Sequence, residues 1–161
     1  VKLLLVGEGP DRLRLEQLTS RLGLTSRVVW AGRHDNPARA YAAMDVMVLP
    51  SVYEAFGNVL MEAMAAGVPV VGRRRDGDFR HPVLTANEEL IVHGQTGLLV
   101  DPHDPDDLAR QLWVLSQFPG AREAMGRRAR AWASSRTWHA VVQRYYQSMG
   151  QTIDQPLAQA A

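Results

Sequence analysis

Short apolar runs that close on glycine or proline recur along the chain: LLLV before GEGPD, VVWAG, VMVLP, VPVVG, and GLLV before DP. Longer stretches of helical period lie between them. Runs of four or five apolar residues without polar alternation suit strands covered on both faces, and strands joined through helices pair in parallel. The pattern predicts an α/β fold, a Rossmann-like parallel sheet flanked by helices.

With 161 residues, 46% hydrophobic and 22% charged, the chain has the size and mix of one globular domain. Residues 1–150 form that domain, and 151–161 (QTIDQPLAQAA) form a tail without a clear apolar period. Eighteen basic against 17 acidic side chains leave a formal charge of +1, so the overall balance asks for neither nucleic acid nor an anionic membrane. There is no cysteine, hence no disulfide framework, thiolate nucleophile or thiolate metal site, which fits a reducing, cytoplasmic setting. The opening VKLLLVGEGP is too short to span a bilayer and has no cleavage pattern, so it reads as a strand. The missing initiator Met suits a chain that begins inside a larger protein.

Element by element, Lys2–Val6 reads as a fully buried strand and Asp11–Leu22 as a helix with Leu13, Leu15, Leu18 and Leu22 on or near its inner face. Arg27–Gly32 is a second strand, Pro37–Met44 a short helix, and Asp45–Ser51 a third strand ended by Pro50. Gly57–Ala66 is helical, and Val68–Val71 is the fourth strand. Gly72–Asn87 is polar and loop-like, Glu88–Val92 a short helix, and Thr96–Val100 the fifth strand. DPHDPDDLARQLWVL places Asp and Pro at a helix start, as the first turn prefers, with Leu108, Leu112 and Leu115 as core positions. Ala121–Ser134 and Thr137–Met149 close the domain as helices.

Within SVYEAFGNVLMEAMAAGVPVV, Glu62 is the only ionisable residue between Ala55 and Gly72, and Glu54 stands eight positions before it. Ligands of a doubly wound sheet bind off the carboxyl ends of the strands, where loops run into helix N-termini. Glu54 to Asn58 occupies that place, so backbone N–H groups around Phe56 to Leu60 are set to receive an anion, and Gly57 permits close approach. A carboxylate only accepts, and it can take both hydroxyls of a vicinal diol such as a ribose or a hexose. The two acids therefore suit an extended polar ligand with a phosphate in its middle. A structural alternative stands beside this one. An isolated Glu on an apolar helix can point to solvent, or be buried against a backbone amide or an Arg. The pair alone leaves both readings open.

The segment PSVYEAFGNVLMEAMAAGVPVV resembles the signature of retaining glycosyltransferases of the GT-B fold, family 4, with the E-x7-E spacing of Glu54 and Glu62 intact. The likeness continues through LLLVGEGPDRLRLEQL, RVVWAG and YAAMDVMVLPS before it and HGQTGLLVDPHDPDDLARQL after it, from about Val1 to Leu115. It implies that Glu62 hydrogen-bonds the ribose of a nucleotide sugar and that Glu54, the catalytic position, faces the transferred sugar and its phosphate. It further implies that Phe56, Gly57 and Asn58 contact sugar hydroxyls through their amides, and that Val59 and Leu60 begin the helix that receives the diphosphate. On this resemblance the chemistry is metal-independent and needs no cofactor besides the nucleotide-sugar substrate. The chain would be most of the C-terminal, donor-binding half of a two-domain GT-B enzyme. The family's diphosphate-clamping Arg and Lys, the first βα unit and the N-terminal acceptor domain would lie upstream of Val1. The acceptor is unidentified, no nucleic acid is implied, and peripheral membrane association of the full-length enzyme is allowed. A GT-B epimerase or phosphorylase relative shares the same sheet, and a non-catalytic nucleotide-binding or interaction module could keep the fold.

The chain departs from the family pattern after Val71, where GRRRDGDFRHPVLTANEEL replaces a short Gly-rich turn and a Pro-Glu pair. Arg73, Arg74, Arg75 and Arg80 are candidate anion contacts, with a solvated basic surface as the alternative. Glu88 or Glu89 is a candidate for the place of the Pro-Glu acid, and His81 reads as a surface or packing residue. GEGPD lacks G-x-G-x-x-G spacing, which argues against a dinucleotide oxidoreductase. His34, His93, His103 and His139 have no metal-ligand spacing, so no metal site is expected. Trp30, Trp113, Trp132 and Trp138 read as core or helix-packing residues.

Overall fold

The structure, a computed structural model, describes residues 1–51, 53–75, 84–85, 87–101 and 103–137 together with positions 140, 143 and 147. Its elements in chain order are β1 (Leu3–Val6), α1 (Arg12–Arg21), a 3-10 turn (Thr25–Arg27), β2 (Val28–Gly32), α2 (Pro37–Ala42), β3 (Met47–Leu49) and β4 (Tyr53–Glu54). There follow α3 (Asn58–Ala65), β5 (Val70–Arg73), β6 (Leu84–Thr85), α4 (Asn87–Leu90), β7 (Gly97–Val100), α5 (Pro105–Gln117) and α6 (Pro119–Ser134). Every strand pairing among the described residues is parallel, as the alternation of strand and helix predicts. The α/β class with flanking helices holds.

The strands form three ladders: β1 with β2, β3-β5-β7 in that order, and β4 with β6. The three-stranded ladder is the scaffold. Its side chains alternate between two apolar clusters, as a pleated strand requires. Met47, Leu49, Val70 and Leu99 pack on the face that also holds Leu60, Ala63 and Met64 of α3 and Ala129 and Ala133 of α6. Val46, Val48, Val71, Leu98 and Val100 pack on the opposite face with Leu108, Leu112 and Leu115 of α5 and Met125 of α6. The three leucines of α5 thus lie where their helical spacing places them. Leu60, Ala63, Met64, Val70 and Val71 are fully buried.

Several expectations need correction. β1 is not a fully buried strand, because Leu3 is 51% and Val6 39% exposed. Neither apolar cluster includes a residue of β1, α1 or β2, so burial on both faces does not arise there. Leu13, Leu15, Leu18 and Leu22 are likewise exposed. Leu13 also points about 170° away from the mean direction of the other three at roughly 100° per residue, so the four cannot share one face. The fourth strand begins at Val70 instead of Val68. Pro69 has no N–H to donate to a ladder, although its carbonyl accepts the Met47 N–H at 3.0 Å. α4 starts one residue earlier than expected and stops at Leu90, and α6 begins at Pro119 rather than Ala121. The short pair β4–β6 was not expected at all. Trp113 is 63% exposed on α5, whereas Trp132 packs against the first cluster beneath the Arg136 guanidinium, 3.4 Å from its ring. The expected helix 137–149 falls mostly outside the described residues, and so does Trp138. No helix of the described residues is long and apolar enough to cross a membrane.

Two devices hold the helical layer in place. α6 crosses the exit turn of α3 at Gly126, where a Cβ would run into the Gly67 carbonyl and the Pro69 ring. α5 is capped by Asp104, whose Oδ1 accepts the Asp106 N–H at 2.9 Å while Oδ2 accepts from Arg110 at 2.8 Å. That Arg110 bond, followed by backbone N–H donors, holds the Asp104 carboxyl below its ordinary 3.8. The Asp101 N–H does the same for Asp107, joined by Gln111.

Gly126→Ala should destabilise the chain by about 1–3 kcal/mol, read as a lower denaturant midpoint at unchanged slope. Depressed carboxyl values contribute stability that is present above the unfolded pKa and is lost as pH falls through the folded one. The melting temperature should therefore drop as the solution is acidified below pH 3.8. Asp104→Asn should lower it at neutral pH and make that acid-induced drop shallower.

Candidate functional site

The register sets Leu49 of β3 beside Gly72 of β5, and Gly72 beside Leu99 of β7. The carboxyl ends of the three strands are therefore level, and the segments that leave them share one edge. From β3 the chain runs through Pro50 and Ser51 into Tyr53 and Glu54, which pair with Leu84 and Thr85. Glu54 is half-buried, and its Oε1 accepts the N–H of Gly57 at 3.0 Å. Gly57 takes φ 73°, ψ 45°, the left-handed conformation that a side chain disfavours, and directs the chain into α3. Contacts alone also argue for glycine there, since an added Cβ would lie 3.3 Å from Leu90 Cδ1 and 3.4 Å from Leu60 Cδ1.

At the start of α3 the N–H groups of Leu60 and Met61 turn back to the Gly57 carbonyl, at 2.8 and 3.3 Å. Among the described residues no acceptor takes the N–H of Asn58 or Val59, and both residues are exposed. The helix dipole adds partial positive charge at the same point. Phe56, 54% exposed, borders this helix start. Of the amides expected to face a ligand, Gly57 is thus engaged by Glu54 and Leu60 within the helix, while Asn58 and Val59 remain open.

Glu62 lies on the side of α3 opposite the buried Leu60, Ala63 and Met64, one turn after Asn58. It is an exposed residue, yet its Oε2 accepts the phenol proton of Tyr41 at 2.7 Å. Tyr41, on α2, is only 7% exposed, with its ring in the cluster that holds Leu60 and Met64. Burial first, and then the hydrogen bond to Glu62 and its charge, push the Tyr41 hydroxyl well above its ordinary value, so it stays a donor. Glu62 Oε1 meets no donor among the described residues. The acid in the apolar run is thus neither a loose solvent-facing side chain nor a buried one closed off by an amide or an Arg. In the sequence Tyr41 falls within YAAMDVMVLPS, with no feature of its own that points to Glu62. No spacing in either segment marks the pair, which lie 21 residues apart on two different helices.

Arg73 ends β5, and its Nη1 donates to the Pro50 carbonyl at 3.3 Å, beside the segment that carries Glu54. Arg74 donates its N–H to Val100 at 2.9 Å. Arg75 turns to α4, its N–H on Glu88 Oε1 at 2.9 Å and its Nη2 on Glu89 Oε1 at 2.8 Å. Arg80 and His81 lie outside the described residues. His93 Nδ1 accepts the Leu99 N–H at 3.0 Å and so ties the α4–β7 turn to the sheet. No group of three or more His, Asp or Glu gathers in a metal-binding arrangement among the described residues.

An open helix start at the carboxyl edge of a parallel α/β sheet is where folds of this class bind anionic ligands. The chain belongs to the family described as glycosyl transferases group 1, whose model matches residues 1–117. Among curated relatives, N-acetyl-alpha-D-glucosaminyl L-malate synthase of Bacillus anthracis is 41% identical over 129 residues, 80% of this chain and 32% of that protein. Among solved structures, sucrose-phosphate synthase of Thermosynechococcus elongatus is 31% identical with a TM-score of 0.76, covering 92% of this chain and 39% of that one. HepE of Anabaena, solved in complex with UDP, is 28% identical with a TM-score of 0.78, covering 93% and 41%. The chain spans a third or less of the length of these curated relatives. The expected family, and a fold shared with GT-B glycosyltransferases, both hold.

Gly57→Ala should cost roughly 1–2 kcal/mol from the left-handed backbone alone. The check is a urea titration, in which a midpoint equal to that of the unsubstituted chain would contradict the role given to this turn.

Proposed function

We propose that the chain is the donor-binding half of a glycosyltransferase that moves a sugar from a nucleotide diphosphate to an unidentified acceptor with retention of anomeric configuration. The match to glycosyl transferases group 1 over residues 1–117 carries this reading, because it spans both acids, the Gly57 turn and α3. The structural likeness to a UDP-bound protein supports a nucleotide as the ligand. In this proposal the diphosphate meets the Asn58 and Val59 N–H groups at the positive end of α3, with Arg73 and Arg74 as nearby cations. No metal takes part, because these dipoles and cations stabilise the leaving nucleoside diphosphate.

Glu62 accepts from the ribose. Glu54, whose Oε1 is held by Gly57, turns Oε2 toward the transferred sugar and its phosphate. Phe56 and Gly57 border that sugar. A facing domain supplies the acceptor site, so the 161-residue chain binds nucleotide weakly and transfers little sugar by itself.

A ligand that binds only the folded state stabilises it by about 2.7 kcal/mol at a hundredfold excess over its Kd. At least one of UDP, GDP and ADP should therefore raise the melting temperature, by roughly 5–10 °C at that excess. Glu62→Ala should abolish most of the shift and Glu54→Ala should leave most of it. No shift with any of the three would refute nucleotide binding, and equal losses from both substitutions would refute the division of roles.

A further inference from the structure

The Tyr41–Glu62 contact joins a buried ring to an exposed acid. The ring is fixed because α2 begins rigidly: Asn36 Oδ1 accepts the Ala38 N–H at 3.1 Å, and Pro37 stands at the first helical position. It is also fixed because the phenyl face packs in the cluster with Leu60, Ala63 and Met64, the buried side of the same helix that carries Glu62. Only the hydroxyl reaches the opposite flank of α3. A bond from a phenol to a carboxylate is charge-assisted and stronger than a neutral one. A glutamate with three rotatable torsions otherwise loses that freedom when a ligand arrives, and ordering it beforehand removes the cost from binding.

We propose that Tyr41 is a positioning residue for donor recognition: its phenol pins Oε2 of Glu62, so that Oε1 alone meets the ribose in one preset orientation. Selection of a ribose over a deoxyribose then depends on a side chain that does not touch the nucleotide. This rests on the nucleotide-binding reading above and narrows it. One of the four Glu62 acceptor directions is occupied before any ligand binds, and it lies on Oε2; with Oε1 left as the facing oxygen, one ribose hydroxyl should dominate recognition instead of both contributing equally.

The test is a calorimetric titration of the full 161-residue chain with UDP, 2′-deoxy-UDP and 3′-deoxy-UDP, or with the GDP or ADP series if UDP does not bind. The unsubstituted chain should favour the ribonucleotide over one of its two deoxy forms by about tenfold, the scale of one hydrogen bond to a charged group. Tyr41→Phe keeps the ring and removes the donor. It should reduce that preference to about threefold or less while binding the deoxy form within about twofold of the unsubstituted chain.

A purely structural role would instead weaken both nucleotides alike, and that result, or an undiminished preference, overturns the proposal. Tyr41→Met, which keeps apolar volume without an oxygen, serves as a second variant, and folding of each is checked by circular dichroism. Failure of both to fold would assign Tyr41 to the core and overturn the proposal as well. If no nucleotide binds the unsubstituted chain, the nucleotide-binding reading itself falls and takes this inference with it. If nucleotide binds but Tyr41→Phe leaves the ratio intact, only the inference falls.

Discussion

Where β3 gives way to α3, the chain reverses through Gly57 at φ 73°, and the Glu54 carboxylate accepts the Gly57 N–H at 3.0 Å. That left-handed turn decides three things at once. It fixes where the helix begins, it aims the open N–H groups of Asn58 and Val59 past the sheet edge, and it sets which flank of α3 carries Glu62. Leu60, fully buried one turn further on, anchors the arrangement to the core. A site built this way sits on a helix whose Leu60, Ala63 and Met64 are fully buried, which suits a constellation that must hold its geometry before a ligand arrives.

The sheet accounts for the rest of the placement. Parallel strands with level carboxyl ends gather Arg73, the Glu54 segment and the Asp101–Asp107 turn along one edge although they lie far apart in sequence. The pair β4–β6 secures the backbone of Glu54 from the side. Arg75, held by Glu88 and Glu89, ties the basic stretch after β5 to α4, whose Leu90 in turn touches the Gly57 turn. The positive stretch is thus partly neutralised by its own acids, while Arg73 reaches the Pro50 carbonyl beside the segment that carries Glu54.

The scaffold strands were legible because their apolar runs are short, uninterrupted and closed by Gly or Pro. α5 was legible because Asp104 and Pro105 mark its start. Strand β4 was not, since two residues carry no period and their pairing depends on Leu84 and Thr85, about thirty positions away. Exposure of β1 and α1 was illegible for a related reason: an apolar run states what a segment can bury, while the cover depends on the rest of the fold. At the site, Glu62 stood out as the only charge in its run, and Gly57 as a turn. The hold of Tyr41 on Glu62 arises from the packing of α2 beside α3, which no spacing in either segment encodes.

The central claim is that α3 presents a phosphate-binding start and a ribose-binding acid to one nucleotide. A crystal structure of the chain with UDP tests it most directly. The account predicts diphosphate oxygens within hydrogen-bond distance of the Asn58 and Val59 N–H groups, and a ribose hydroxyl on Glu62 Oε1, with Tyr41 still on Oε2. UDP bound elsewhere, or bound at the helix start with Glu62 turned away from the ribose, would contradict it.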